Sequence, residues 1–171
     1  MANWFTPDPI PNSDVADRDA RNKAALLLRR FAVGRITNDE FEDGAPTTAD
    51  PAVAAIWDTA WVYYSDLREH RLRGPDRLHP DAKRAWVRWI LFLDSDLPYR
   101  WPAIRHPGND PEAGRRCDLL AWLIGSLSRV SATPEQERFT NSGHYPVWPF
   151  SSVRDYKAAL RNPKRLACQK Q

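Results

Sequence analysis

The sequence predicts an all-α fold, a single-domain bundle of about five to seven helices with two Trp/Leu-rich helices at its centre. Three observations carry this expectation. Apolar residues recur at i, i+3, i+4 spacing in separate stretches of ten or more residues. Most of these stretches open on a helix-starting signal and close on Gly or Pro. Period-2 runs of β-branched residues are absent, so essentially no sheet is expected.

The elements follow in order. Residues 1–12 carry Pro7, Pro9 and Pro11 and read as an extended arm, with Trp4 and Phe5 as anchors. The bundle domain spans 13–161, and 162–171 is expected to be a loose basic tail. A first helix runs from about Ser13 to Val33, with Asp14, Asp17 and Asp19 where the helix dipole favours anions. Ala20, Ala24, Leu27, Leu28 and Phe31 form its stripe, and Gly34 stops it. Thr37-Asn38-Asp39-Glu40 has the capping-box form and opens a short helix carrying Phe41. Asp50-Pro51 pairs an N-cap with Pro at the first helical position. The helix it starts is expected to continue to about Leu72, through Val53, Ile56, Trp57, Ala60, Trp61, Tyr64 and Leu67.

A fourth helix, from Pro80 to about Ser95, carries Trp86, Val87 and the run Trp89 to Leu93 around most of its circumference, which marks it as central. Asp110-Pro111-Glu112 starts a second central candidate with Leu119, Leu120, Trp122, Leu123, Ile124 and Leu127. Thr133-Pro134-Glu135-Gln136 opens a short helix, and residues 141–150 are an aromatic, Pro-bearing loop. Ser152 and Asp155 cap a last helix, with Val153, Tyr156 and Leu160 inward and Pro163 at its end.

Composition bounds the function classes. The 171 residues suit one domain, at roughly 100–200 residues each. The net charge is +3, yet residues 151–171 alone hold six cations against Asp155, leaving the first 150 residues at −2. The basic pI of about 9.0 therefore belongs to the tail, which weakens a nucleic-acid reading. No apolar run approaches the ~18 residues of a membrane span, Trp89 to Leu93 being bounded by Arg88 and Asp94, and no secretory leader pattern opens the chain. These features predict a cytoplasmic protein with no membrane partner. Arg outnumbers Lys twenty to five, a bias read as that of a GC-rich bacterial genome. Glycine-rich phosphate loops are missing, and no cofactor is expected. Cys117 and Cys168 have neither a C-x-x-C partner nor metal-ligand spacing, and no metal is assigned.

Residues 30–41, Arg30 to Phe41, end one helix on Gly34 and restart another on a capping box, with Phe41 folding back on Phe31. Gly34-Arg35-Ile36-Thr37-Asn38-Asp39-Glu40-Phe41 resembles the helix-turn-helix unit of short bacterial oligomerisation modules. More widely, Ala20-Arg21-Asn22, Ile36 to Phe41, Asp50-Pro51-Ala52 and Tyr64 to His70 resemble a family of bacterial proteins of unknown function. That resemblance covers roughly the first half of the chain, with Ser65 where the family more often has Asp. It implies a bacterial source and no activity.

Candidate polar sites are two. Asp66, Glu69 and His70 stand at i, i+3 and i+4 and would share a helix face, either as ligands or as partners of Arg68, Arg71 and Arg73. Asp94 and Asp96 end the fourth helix against its dipole, a local mismatch that marks a site, an ion pair with Arg100 or Arg105, or a cap for the next segment. Nucleophile–base pairs, Cys117 with a histidine or Ser142 with His144, carry no surrounding signature, so no catalytic residue is assigned. Tyr99, Arg100, Trp101 and Arg105, with Tyr145 and Trp148, place aromatics and arginines in loops, the residue types of binding hot spots. The same aromatics would serve as inward-folded lids on the bundle.

The expected function is a non-catalytic protein–protein interaction module of bacterial type: an adaptor, accessory factor or immunity-like inhibitor. Its partner would be another protein or a second copy. The alternatives are a nucleic-acid-binding accessory protein using the basic tail and loop aromatics, and an enzyme or metal-binding protein with a carboxylate/His site.

Overall fold

The computed structural model describes residues 16–102 and 134–163. They form an all-α single domain of six α-helices joined by short 3-10 turns, with no strand among the described residues. The helices are α1 (Arg18–Ala32), α2 (Asn38–Asp43), α3 (Pro51–Ala60), α4 (Pro80–Leu93), α5 (Pro134–Asn141) and α6 (Val153–Arg161). The arm and the second central candidate helix, with Cys117 and Arg105, lie outside the described residues, as does the tail from 164 onward.

Helix ends are set where the local chemistry places them. Asp17 caps α1 by accepting from the Ala20 amide at 3.0 Å, and Gly34 leaves it at φ 64°, the left-handed region where glycine carries no penalty. The Thr37/Glu40 capping box is complete: the Glu40 amide donates to Thr37 Oγ1 at 3.2 Å and the Thr37 amide donates to Glu40 Oε2 at 2.7 Å. Asp50 caps α3 ahead of Pro51, and Ser152 caps α6.

The core is aromatic and centred on α4, which packs chiefly on α1 and also on α3 and α6. Trp86, Trp89, Ile90, Leu91, Phe92 and Leu93 are all buried, while Val87 faces solvent. Phe31 stacks on Phe41 at 4.9 Å between ring centres, and Phe41 on Trp57 at 4.1 Å, so the fold-back of Phe41 is as expected. Trp86 meets Phe31 and Tyr63 edge-on, the offset geometry that ring quadrupoles favour. On α6 the inward residues are Val153, Tyr156 and Ala159; Leu160 is exposed, contrary to the sequence expectation.

The third helix is shorter than its pattern. It gives way to a 3-10 turn at Trp61–Tyr63, and Tyr64 is already extended at ψ 156°. The cause is Asn38, fully buried at the start of α2. Its amide group donates to the Ser65 and Arg68 carbonyls at 3.1 and 3.4 Å, and its Oδ1 accepts from the His70 amide at 2.6 Å. The Asn38 backbone amide adds a bond to the His70 carbonyl at 3.0 Å. These bonds, from about thirty residues away, take backbone groups that a continuing helix would need for itself.

Candidate functional site

The end of α3 removes one candidate. Asp66, Glu69 and His70 sit in the irregular segment clipped by Asn38, so they share no helix face; Asp66 and Glu69 are exposed. His70 lies within hydrogen-bond distance of the Tyr63 carbonyl through Nε2, at 3.1 Å, and packs edge-on against Phe31. Its ring is part of the clip. No group of three or more His, Cys, Asp or Glu placed to hold a metal occurs among the described residues.

The loop aromatics turn inward. Tyr99, Trp101 and Trp148 are buried. Trp101 Nε1 donates to the Pro149 carbonyl at 2.9 Å and Trp148 Nε1 to the Tyr99 hydroxyl at 3.2 Å. Burial pushes the Tyr99 phenol well above its ordinary value. Tyr145 is half-buried against Phe139 and Trp101, at 5.4 and 6.2 Å between ring centres. The Trp148–Pro149 peptide is cis. These rings therefore close the core rather than present a contact surface, and of the six residues only Arg100 is described as exposed. Arg105 lies outside the described residues. The Ser142 hydroxyl donates to the Arg138 carbonyl at 2.7 Å, a bond that closes the end of α5.

The second polar candidate, Asp94 with Asp96, lies where the structure concentrates its charge. Four segments meet there: the N-termini of α1 and α3, the C-terminal turn of α4, and α6. Arg21, on the inner face of α1, is 1 % exposed and Asp50 2 %. Arg21 Nε and Nη2 donate to the two Asp50 oxygens at 2.6 and 3.2 Å, and Nη1 donates to the Ser95 and Leu97 carbonyls at 3.1 and 2.8 Å. The guanidinium lies 5.5 Å from the Phe92 ring centre. Asp50 also accepts from the Asp17 and Ala52 amides, at 3.0 and 2.8 Å, which brings it to four bonds, the capacity of a carboxylate. Asp17 in turn accepts from the Thr48 hydroxyl at 2.6 Å, which with the Ala20 amide holds its pKa below the ordinary aspartate value.

Two more arginines of α1 complete the set. Arg18 donates to the Ser95 carbonyl at 3.2 Å, to Asp96 at 3.0 Å and to the Leu93 carbonyl. Arg29 pairs with Asp94. The aspartates at this helix C-terminus are thus met by cations of α1, which also supply the Leu93 carbonyl and, just past the helix, those of Ser95 and Leu97. Arg18, Arg21 and Arg29 were missed in the sequence. Their one visible signal was Arg at an interior position of an otherwise apolar stripe, at Arg21.

This turn also forms one wall of a cleft of about 380 Å³. Leu91, Leu97, Ala158 and Ala159 line it with apolar surface, and Ser95 and Asn162 are also in its wall. Among the described residues its charged lining consists of three aspartates, Asp94, Asp96 and Asp155. Asp94 is held by Arg29 and is 5 % exposed, whereas the Asp96 side chain is 65 % and the Asp155 side chain 29 % exposed. Asp155 accepts from the Ser152 hydroxyl at 2.8 Å. An apolar trough with carboxylates at its lip is suited to a side chain or short segment with an aliphatic body and a polar or cationic end.

No family model, no curated protein and no solved structure matches the chain. The resemblances drawn from the sequence therefore stand on the residues quoted for them. No helix among the described residues is long and apolar enough to cross a membrane.

Proposed function

We propose that the chain is a non-catalytic protein–protein interaction module, of bacterial and cytoplasmic type, that receives a segment of a partner protein in the cleft between α4 and α6. The cleft carries this reading. It is a concavity with an apolar floor, set against a turn whose polar groups are already satisfied by α1. A wall so held is preorganised, which lowers the ordering cost of binding. The adaptor, accessory-factor and inhibitor roles all need such a stable body with one shaped recess.

The test is native mass spectrometry of the tagged protein purified from its own host, beside the variant Ala158→Trp. Ala158 is exposed on α6 and lines the cleft, so an indole there fills the recess without entering the core. The expected result is a protein subunit bound to the parent chain and lost from the variant, with the two melting curves superimposable. A bare chain, or a subunit retained equally by both, overturns the reading.

A further inference from the structure

The residue that closes the cleft on the α6 side is Asn162, the C-cap of that helix. Pro163 follows it and cannot continue the helix, since proline has no amide hydrogen to donate. The chain then has eight further residues, Lys-Arg-Leu-Ala-Cys-Gln-Lys-Gln, from 164 to 171. This segment holds Lys164, Arg165 and Lys170, no acidic side chain, and one large aliphatic, Leu166. It leaves the helix at the lip of a recess whose charged lining, among the described residues, is aspartate.

We propose that residues 164–171 are the cleft's own occupant in cis, with Leu166 and the stem of Arg165 on the apolar floor and the cationic heads at Asp96 and Asp155. This rests on the reading of the cleft as a binding site and adds its regulation: the tail holds the site until a partner segment displaces it. Reach is ample. Eight residues at ~3.3–3.6 Å each extend about 26–29 Å, more than the breadth of a cleft of this volume. Affinity need not be high. A tether of a few residues gives an effective concentration in the millimolar range, so a contact too weak to hold a free peptide is enough to occupy the site. The carboxylates need not give up their arginines, because each can accept up to about four hydrogen bonds. The chemistry the tail presents is also that of the displacing partner: a basic residue beside a large aliphatic one.

Cys168 provides the probe. In the full chain carrying Cys117→Ser, a nitroxide on Cys168 is expected to broaden the amide signals of Leu91 and Leu97, on the α4 wall. Signals of Asp81 and Lys83, at the other end of α4, should keep their intensity. The broadening should fade by more than half on raising salt from about 0.05 to 0.5 M, as screening shortens the range of the charge pairs, and in the double variant Lys164→Glu/Arg165→Glu. Undiminished signals at Leu91 and Leu97 overturn the proposal, as does broadening that survives the charge reversal. Mixing isotope-labelled, nitroxide-free chain with unlabelled spin-bearing chain must leave the signals sharp; broadening there assigns the tail to a second copy and overturns the arrangement in cis. A silent nitroxide with a partner still lost from Ala158→Trp defeats this proposal alone. A seated tail with co-purification indifferent to Ala158→Trp defeats the partner-binding reading alone.

Discussion

The Arg21 guanidinium grips both oxygens of Asp50, at 2.6 and 3.2 Å, with the two side chains 2 % and 0 % exposed. The pair ties the N-terminal turn of α1 to the N-cap of α3, and Arg21 Nη1 holds the Ser95 and Leu97 carbonyls just past α4. Removing one member of a buried pair strands the other without water or counter-charge. Arg21→Met is therefore expected to cost about 3–5 kcal/mol of stability in urea unfolding. Arg21→Met/Asp50→Asn should recover part of that loss, because the stranded carboxylate is gone. A single variant that costs under about 1 kcal/mol would show that the pair adds little.

Asn38 is a second long-range tie, and its loss has a local signature. Asn38→Ala leaves the Ser65 and Arg68 carbonyls and the His70 amide without their side-chain partner. Unmade bonds of buried groups cost about 1–3 kcal/mol. Hydrogen exchange should locate the effect: the His70 amide loses protection while the amides of α4 keep theirs. Uniform loss across both regions would mean that the clip is not a separate unit.

Two glycines separate dihedral from steric cost. Gly34 and Gly74 both have positive φ, 64° and 55°. A Cβ at Gly34 would stand 2.4 Å from Arg73 Cγ, whereas at Gly74 it meets nothing within 4 Å. Alanine at Gly74 is expected to cost about 1–2 kcal/mol, the left-handed penalty for an L-residue. Alanine at Gly34 should cost more, since Arg73 must also move and give up its 3.3 Å bond from Nε to the Val33 carbonyl. Equal melting temperatures for the two variants would contradict this.

Tyr64 supplies a pH test. A hydrogen bond to Glu42, with Asp39 and Asp66 nearby, pushes its phenol up to about 12 from 10.0. The folded value lies above the unfolded one, so the stabilisation is complete below pH 10.0 and is lost as pH rises toward 12. Following the Tyr64 ring carbon by NMR, Glu42→Gln should move the titration down toward 10.0. An unchanged midpoint would remove Glu42 as the cause.

Much of this fold was legible because capping chemistry is local. Thr37 with Glu40, Asp50 with Pro51, Ser152 with Asp155, and Gly34 each act within a few residues, and each stands where its signal predicts. The end of α3 was not legible. Tyr64 and Leu67 continue its apolar stripe in sequence, yet Leu67 is 95 % exposed, because the groups that stop the helix belong to Asn38. The site was half legible. Asp94 and Asp96 stood out as a dipole mismatch, but their arginines lie 65 and 78 residues away, and nothing in the spacing connects them. Loop aromatics announced themselves by type alone; whether a ring faces in or out is decided by partners such as the Pro149 carbonyl, which pattern does not encode.

The arginines of α1 that hold the last turn of α4 also govern how fast anything can enter beside it. A recess whose wall is already fixed offers an arriving chain one shape and no rearrangement to wait for. Capture should then be a single kinetic step, rising linearly with ligand concentration, and selectivity should appear in how long the complex lasts. Loosening the wall through Arg18→Ala would add a slow, concentration-independent phase as the turn reassembles around its guest.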